Sequence, residues 1–401
     1  MGKINEFQET IFTQHEQLGL NLIKKSPMIS RCDREVSMLD RHTNSNMKLL
    51  MFGSNSYIGA TTNSEAIKKA IEVTEEYGIG SGGVPLLSGT TIYQIELEQE
   101  IAKTKGFDDA IVFSSGFAAN LGVLLGLMRS NNLIIHDKLN HASLLDGTIM
   151  SGAKMTRYKH NDPNDLEKIL KENVNKYPGG ILVVTDGVFS MDGDIANIPE
   201  ILKIVRKYGA MLLIDDAHST GQIGEKGAGT LSHFKIEDRS DIIVTGTLSK
   251  AIGTVGGFIT ANQKIIDYLR IFARSNMYST SLPPSICASA IEVFRYMKRS
   301  NVVEQLRINS EYLRSNLLKK KYNILNTETA IIPIVVGDEH KLTMMSKDFT
   351  DRGVIVNYIF PPVVSPNLSR LRISVMASHT QEDLDKLINV IDNVFEKYSL
   401  N

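Results

Sequence analysis

The strongest constraint on the fold is a repeated alternation between short apolar runs and longer helical patterns in the middle of the chain. Helical patterns at residues 117–128 and 198–207, for example, separate apolar runs of strand length. Strands that are apolar throughout are buried on both faces, and their alternation with helices is typical of a mostly parallel sheet. The sequence therefore predicts an α/β fold in which ligands bind beyond the carboxyl ends of the strands. The predicted strands lie at residues 110–113, 133–136, 181–185, 211–214 and 241–245.

The chain is also long enough to divide into domains. Its 401 residues exceed one average domain of about 150 residues. Residues 1–60 are polar and irregular apart from a helical pattern near residues 11–25, and they predict an N-terminal arm. The alternating pattern fills residues 61–295 and predicts a large domain. Strand and helix patterns in residues 296–401, ending in a helical pattern at 381–397, predict a smaller C-terminal α+β domain.

Composition argues against several classes of partner and location. Lysine and arginine number 44 against 45 acidic residues, a net charge of -1 that leaves no excess positive charge for nucleic acid. No apolar run approaches the roughly 18 residues of a membrane-spanning helix, and the first 30 residues lack a signal-peptide pattern. Cys32 and Cys287 are too few for a disulfide framework. We expect a cytoplasmic protein with no nucleic-acid partner and no integral membrane segment.

Three polar motifs follow predicted strands at the edge where ligands are expected. Small residues at 114–120 open a helix whose free backbone N–H groups favour a phosphate, although a plain helix cap is the alternative. Asp215 ends another strand, where a buried carboxylate is costly without a partner, and His218 lies three residues further on. Lys250 lies five residues past the last predicted strand among small residues. A partly desolvated amine there would have a lowered pKa and could form a Schiff base.

Together these motifs predict a pyridoxal-phosphate site, which needs a lysine amine, an acid for the ring nitrogen and a phosphate cradle. Two alternative sites fit less well. Asp215 and His218 could bind a metal ion, but no third ligand has suitable spacing, so no metal site is predicted. Residues 78–83 spell the dinucleotide pattern G-x-G-x-x-G, but they follow a helical pattern and open none, contrary to what that fingerprint requires.

A series of ordered motifs around these residues resembles the α-oxoamine synthases, fold-type I pyridoxal-phosphate enzymes that join an amino acid to an acyl thioester and release carbon dioxide. The resemblance covers well over three quarters of the chain. It implies pyridoxal 5'-phosphate as cofactor and a homodimer with shared active sites. The matching segments are Ser54–Gly59, Tyr77–Gly83, Ser88–Thr90, Phe113–Asn120, Asp137–Gly147, Val183–Asp194, Ile214–Gly229, Gly246–Gly257, Ser279–Pro284 and Leu371–Asp385.

The resemblance implies roles for four residues around the cofactor ring. Lys250 would hold the cofactor and remove the α-proton of the amino acid. Asp215 would pair with the ring nitrogen and keep the ring protonated, which makes it an electron sink. His218 would contact the ring hydroxyl, and His141 would stack on the ring. A buried structural histidine is the simpler alternative for His218 and for His141.

The phosphate positions implied by the resemblance come from several segments. Gly116 and Phe117 would bind the phosphate through their backbone N–H groups. Ser190 and Thr247 would add contacts, although Ser190 could instead cap a turn. Thr280, within the matching loop that ends at Pro284, would reach the phosphate held by the partner subunit, and a plain connector is the alternative for this loop.

Two residues are implied for the amino-acid substrate, and four departures from the family bear on the acyl donor. The guanidinium of Arg372 would bind the substrate carboxylate through two parallel hydrogen bonds, and Asn55 would also contact the substrate. The departures replace residues that are more polar or charged in the family, and a less polar donor site favours an apolar acyl chain. The alternative is that these residues lie away from the path of the acyl donor and that the changes are neutral drift. They are Val84, Pro85, Gln94 and Val363.

The implied reaction is a decarboxylative condensation of serine, alanine or glycine with an acyl thioester, from coenzyme A or a carrier protein, to an α-amino ketone. Residues 248–250 and 256–258 look more like the serine palmitoyltransferase branch. The alternatives are 8-amino-7-oxononanoate synthase, 2-amino-3-ketobutyrate ligase and a fold-type I aminotransferase. A catalytically idle cofactor-binding regulator and a nicotinamide oxidoreductase fit the residues less well.

Overall fold

The computed structural model describes residues 26–40 and 43–400, and within them the chain forms two compact units. The large unit is Ser56–Arg307, and the small unit combines the flanking residues on either side of it. The domain limits predicted from the sequence stay predictions, and the helix predicted at residues 11–25 lies outside the described residues. No helix of the described residues is long and apolar enough to cross a bilayer.

The described elements alternate along the chain much as the apolar pattern predicts. In chain order the strands are β1 (Glu35–Leu39), β2 (Asn46–Met51), β3 (Asp109–Phe113), β4 (Leu133–Asp137), β5 (Lys154–Tyr158), β6 (Ile181–Asp186), β7 (Met211–Asp215), β8 (Ile242–Thr247), β9 (Gly257–Ala261), β10 (Ile331–Val335), β11 (Val354–Ile355), β12 (Asn357–Ile359) and β13 (Arg370–Ser374). The helices are α1 (Ser64–Tyr77), α2 (Ile92–Lys105), α3 (Gly116–Leu127), α4 (Ala142–Ser151), α5 (Pro163–Asn173), α6 (Ile198–Lys207), α7 (Thr230–His233), α8 (Gln263–Phe272), α9 (Arg274–Met277), α10 (Pro284–Arg299), α11 (Val302–Lys319), α12 (Glu339–Asp351) and α13 (Gln381–Lys397).

A seven-stranded sheet forms the centre of the large unit, with the strand order β3-β9-β8-β7-β6-β4-β5. Only β9 runs antiparallel to its neighbours, β3 and β8, and the pairs from β8 through to β5 are all parallel. The predicted α/β class with a mostly parallel sheet is confirmed. The strands β5 and β9 are the two members of this sheet that the apolar pattern did not predict.

The central strands are apolar throughout because both faces of the sheet are covered. In β6, Val183 packs into one hydrophobic cluster and its neighbour Val184 into another. The same division separates Leu212 from Leu213 in β7. Successive side chains of a strand point to opposite faces, so two cores require apolar residues at every position.

The small unit contains two three-stranded sheets. In one, β1 pairs antiparallel with β2, which pairs in parallel with β11 from near the other end of the chain. In the other, β13 lies between β10 and β12, with both pairs antiparallel. The predicted final helix is confirmed as α13, which begins with a capping box formed by Thr380 and Asp383.

Candidate active site

A cavity of about 240 Å³ lies where β6, β7 and β8 end and where α3 and α4 begin. This is the edge at which ligands bind in parallel α/β sheets. Unpredicted residues contribute part of its wall, namely Ser115, Asn120, Ser143, Asp186, Val188, Ala217 and Ser249. The predicted residues that the structure brings together here are Gly116, Phe117, His141, Asp215, His218, Thr247 and Lys250.

The first turn of α3 forms one end of the cavity. Ser115 caps the helix, because its Oγ accepts a hydrogen bond from the N–H of Ala118 at 3.0 Å. A Cβ atom on Gly116 would lie 2.9 Å from the Cβ of Thr247, so glycine permits the close approach of α3 to β8. Free N–H groups at a helix start, together with the helix dipole, form a site suited to a phosphate.

The Asp215 carboxylate lies in the cavity wall and is held by neutral donors. Its Oδ2 accepts a hydrogen bond from Asn120 Nδ2 at 2.7 Å, and its Oδ1 accepts one from the N–H of Ala217 at 2.9 Å. Asn120 also donates to Ser143 Oγ at 2.8 Å, which fixes the orientation of its amide. Hydrogen bonds of this kind stabilise the charged form of a carboxylate.

His141 lies at the start of α4 and is held from two sides. Its Nδ1 lies 2.7 Å from Ser143 Oγ, and its backbone N–H donates to Asp186 Oδ1 at 3.2 Å. Burial lowers the pKa of His141; the charge of Asp215 opposes this shift and that of Lys250 adds to it. The imidazole is therefore neutral at physiological pH.

The ring of His218 is fixed by a buried tyrosine. The hydroxyl of Tyr57 lies 2.7 Å from His218 Nδ1, and the side chain of Tyr57 is fully buried. The two rings meet edge to face with centroids 6.1 Å apart. His218 is thus held in one orientation within the cavity wall.

Lys250 lies in the turn that follows β8, as its sequence setting predicts, and it lines the cavity. Thr247 and Ser249 share a hydrogen bond of 2.8 Å between their hydroxyl groups at the start of this turn. The charge of the Lys250 amine acts to lower the pKa of both His141 and Asp186, so these three groups interact electrostatically. An amine in such a setting can act as a nucleophile or as a base.

Asp186 is a cavity residue that the sequence analysis did not single out. It ends β6 directly beside Asp215 in the β6–β7 register. Burial, and then the charge of Asp215, raise the pKa of Asp186 well above its usual value. Asp186 ends an apolar strand just as Asp215 does, so the pattern that identified Asp215 applies to it equally.

The remaining predicted residues lie outside this cavity wall. Thr280 lines a much smaller cavity of the large unit together with Pro85 and Gln94, and Ser190 is only partly buried. In the small unit, both terminal nitrogens of Arg372 lie 3.2 Å from Asn55 Oδ1, so the two residues predicted for the substrate are in contact. Arg372 is buried and also donates to Ser374 Oγ at 3.0 Å. The predicted roles of these residues stay predictions.

The cavity fits pyridoxal phosphate. It offers a helix start to an anion, a buried carboxylate to a ring nitrogen and a lysine amine to an aldehyde. Among the described residues, the buried Oδ1 atom of Asn120 in the cavity wall has no hydrogen-bond partner, so the wall retains an acceptor for a ligand.

Comparisons with known proteins agree with this geometry. The family model described as aminotransferase class I and II matches residues 47–391. An 8-amino-7-oxononanoate synthase from Treponema denticola is 41% identical over 86% of this chain and 88% of its own length. A serine palmitoyltransferase from Sphingobacterium spiritivorum is 40% identical over 92% of this chain and 91% of its own length. A solved S. paucimobilis serine palmitoyltransferase with bound PLP and myriocin is 30% identical over all of both chains, with a TM-score of 0.92.

Proposed function

The chain belongs to the aminotransferase class I and II family and, within it, is an α-oxoamine synthase that uses pyridoxal phosphate, and we propose that it joins serine, alanine or glycine to an acyl thioester with an apolar chain. The proposal depends above all on the cavity in which Lys250, Asp215 and the start of α3 meet. Both substrate classes, an amino acid and an acyl thioester, are those of the α-oxoamine synthases.

Asp215 would act on the ring nitrogen of the cofactor. When bound, pyridoxal phosphate supplies an electron sink for the carbanion that forms at the α-carbon of the amino acid. The carboxylate of Asp215 is held by Asn120 and by the N–H of Ala217, so it remains fixed in position and accepts a proton or a charged N–H from the cavity side. Both of these donors are neutral groups.

Lys250 would hold the cofactor through its amine and, once released from it, remove the α-proton of the amino acid. Its turn is anchored by Thr247, whose Oγ1 donates to the carbonyl of Gly256 at 3.0 Å. A lysine that serves as a base must be neutral when it takes the proton.

The two histidines would orient the cofactor ring. His141 would cover one face as a neutral imidazole, because burial lowers its pKa. His218 would contact the ring hydroxyl, and the hydroxyl of Tyr57 holds its Nδ1 at 2.7 Å. Gly116 and Phe117 would bind the phosphate through the free N–H groups of the first turn of α3.

Arg372 would bind the carboxylate of the amino acid. Its guanidinium is buried, and Asn55 Oδ1 accepts from both of its terminal nitrogens at 3.2 Å. A guanidinium held in this way is pre-organised for a bidentate pair with a carboxylate. Asn55 would thus orient the arginine and contact the same substrate.

The acyl donor would carry an apolar chain. Pro85 begins a short π-helical turn that ends at Gly89, and Leu86 and Leu87 on it are exposed. Pro85 contributes no charge to a donor, and each buried methylene of a chain is worth about 0.8 kcal/mol. We expect kcat/KM to rise from acetyl to long-chain thioesters and a dicarboxylic donor such as pimeloyl to be poor. Better turnover of pimeloyl or acetyl thioester would identify the site as one for a polar or short donor.

A second copy of the chain would complete the enzyme as a homodimer. The large unit exposes several large apolar side chains, with Ile79 at 88%, Leu87 at 85% and, directly before the loop Ser279–Pro284, Tyr278 at 68% exposure. Such side chains in one unit favour a protein partner. Sedimentation at assay concentration should give a dimer, and an active monomer loaded with cofactor would exclude shared sites.

The cytoplasm is the compartment that we propose for this enzyme. Cys287 is a buried free thiol. Burial raises the pKa of Cys287 to about 12, so this thiol is unreactive. Free thiols of this kind fit a reducing compartment.

One experiment tests the proposed reaction and separates it from its nearest alternative. The purified enzyme is incubated with glycine, alanine or serine and with a mixture of acyl thioesters that includes the pimeloyl thioester, and the products are identified by mass. A long-chain α-amino ketone supports the proposal, and 8-amino-7-oxononanoate from alanine would assign the alternative activity. Borohydride reduction and peptide mapping should place the cofactor on Lys250, and an adduct on another lysine would contradict its role.

A further inference from the structure

A buried ion pair lies directly behind the cavity, on the residue that follows Asp215. The Lys105 ammonium, at the last residue of α2, lies 2.8 Å from Asp216 Oδ2, and each side chain is 2% exposed. Removing two charges from water is costly, and a pair is retained only where further hydrogen bonds satisfy both partners. Neither residue lines the cavity, so neither is part of the site described above.

Both members of the pair are fully satisfied by the segments around them. Lys105 Nζ also donates to Thr220 Oγ1 at 2.8 Å and to the carbonyl of Ala228 at 2.9 Å. Asp216 Oδ1 accepts from the hydroxyl of Thr230 at 2.5 Å, and its Oδ2 accepts from the N–H of Thr230 at 3.3 Å. The pair therefore connects α2, the turn after β7 and the start of α7.

The backbone of Asp216 fixes the turn that carries the cavity residues. Its N–H donates to the carbonyl of Thr245 in β8 at 2.8 Å, and its carbonyl accepts from the N–H groups of Ser219 and Thr220 at 3.1 and 2.9 Å. His218 lies inside this turn, and Asp215 immediately precedes it. The position of both cavity residues therefore depends on where Asp216 is held.

Two glycines provide the room for this arrangement. A Cβ atom on Gly187 would lie 2.6 Å from Asp216 Oδ1, and one on Gly229 would lie 2.6 Å from Lys105 Nζ. Gly187 also donates its N–H to the carbonyl of Asp215 at 2.8 Å. The backbone thus approaches the ion pair closely on two sides, and this close packing restricts the movement of the Asp216 carboxylate.

From this geometry we infer that Lys105 and Asp216 are positioning residues for the cofactor, which hold the Asp215–His218 turn in the arrangement that receives the cofactor ring. The inference rests on the proposed roles of Asp215 and His218. Supporting partners of this kind hold a functional group in its productive geometry without contacting the ligand. At metal sites, the loss of such a partner costs about 10-fold to 100-fold in affinity or activity.

The test compares cofactor binding with stability in four variants of the full-length enzyme. Lys105→Met and Asp216→Asn each break the pair, and the double variant removes both charges. Glu98→Gln is the matched control, because Glu98 lies on the same helix, is buried, and forms an ion pair of 2.8 Å with Arg270 away from the cavity. The dissociation constant for pyridoxal phosphate and the visible absorbance band are measured well below the melting temperature of each variant.

We expect Lys105→Met to weaken cofactor binding about tenfold or more and to shift the absorbance band, and Glu98→Gln to leave both within about twofold. The double variant should regain stability, since no unpaired charge is buried, but should keep the weakened binding. If a single variant does not fold, cofactor binding by the double variant therefore serves as the test. Wild-type affinity in Lys105→Met, or affinity that returns together with stability in the double variant, would overturn the inference.

Asp215→Asn separates this inference from the proposed function. If Asp215→Asn leaves the absorbance band and the affinity unchanged, the proposed role of Asp215 fails. If it changes them while Lys105→Met does not, the role of Asp215 stands and the positioning role of the ion pair fails.

Discussion

Asp215 and Asp216 are consecutive residues, and both are buried, but their surroundings differ completely. Asp215 lies in the cavity wall and is held by the amide of Asn120 and the N–H of Ala217, both neutral. Asp216 lies behind the cavity and pairs with the Lys105 ammonium. A carboxylate with only neutral donors retains its charge for a ligand, whereas one with a cation in contact has already neutralised it.

Two histidines of the large unit show the same contrast. Burial lowers the pKa of His141, whose ring lines the cavity. Burial also acts to lower the pKa of His160, but hydrogen bonds of 3.0 Å from its two ring nitrogens to Asp137 and Asp194 outweigh it and raise the pKa to about 10. The cavity histidine is neutral and accessible, and the other is a cation that its partners neutralise.

The largest effect should come from removing the cavity amine. Lys250→Ala removes both the covalent attachment of the cofactor and the base. Because a general base alone contributes about 10²-fold to 10⁴-fold to a rate, kcat should fall by at least about 10³-fold. The melting temperature should stay within a few degrees because Lys250 forms part of a cavity wall. Steady-state kinetics and calorimetry measure the two quantities, and a variant with a tenth of wild-type activity would contradict the assigned role.

The same substitution should have its largest effect on catalysis at Asp215 and on stability at Asp216. Asp215→Asn should lower kcat by about 10²-fold to 10³-fold with little loss of stability, as the removal of a charge-stabilising group does in other enzymes. Asp216→Asn should lower the free energy of unfolding by about 3 to 5 kcal/mol, because it leaves the Lys105 ammonium buried without its anion. Urea unfolding and kinetics on both variants decide this, and equal losses of stability would remove the contrast.

The pH dependence of stability should reveal the cation at His160. Its folded pKa lies above that of an unfolded histidine, near 6.5, so its contribution to stability is fully present below about pH 6.5 and is lost as the pH rises through about 10. His160→Gln should therefore be less stable than the wild type at pH 6, and the difference should shrink toward pH 10. A constant difference in melting temperature from pH 6 to 10 would show that His160 is neutral in the folded protein.

The smallest effect should come from the tyrosine that orients His218. Tyr57→Phe removes one buried hydrogen bond of 2.7 Å, which is worth about 1 kcal/mol, so kcat/KM should fall only a few-fold. His218→Ala, which removes the ring itself, should lower it further, and Tyr57→Phe should add nothing in the His218→Ala background. Additive losses in that double-variant cycle would show that Tyr57 acts on catalysis by another route.

Much of the large unit could be predicted because its signals are local. Apolar runs without alternation predict buried parallel strands, and five such runs correspond to β3, β4, β6, β7 and β8. Lys250, Asp215 and Gly116 could be predicted as neighbours since the carboxyl ends of parallel strands meet at one edge. The strand β9 was missed because its antiparallel pairing with β3 and β8 is a long-range choice that no local pattern encodes.

The amino-acid sequence by itself determined the fold class, the edge at which the cavity forms and the residue types that line it, because periodicity and strand ends are properties of short segments. Only the tertiary structure decided that Asp216, rather than Asp215, receives the Lys105 ammonium. It also decided that β2 pairs with β11 across some 300 residues of chain. These contacts depend on which buried groups meet after folding, and the free energy of a buried charge is set by partners that the local sequence does not contain.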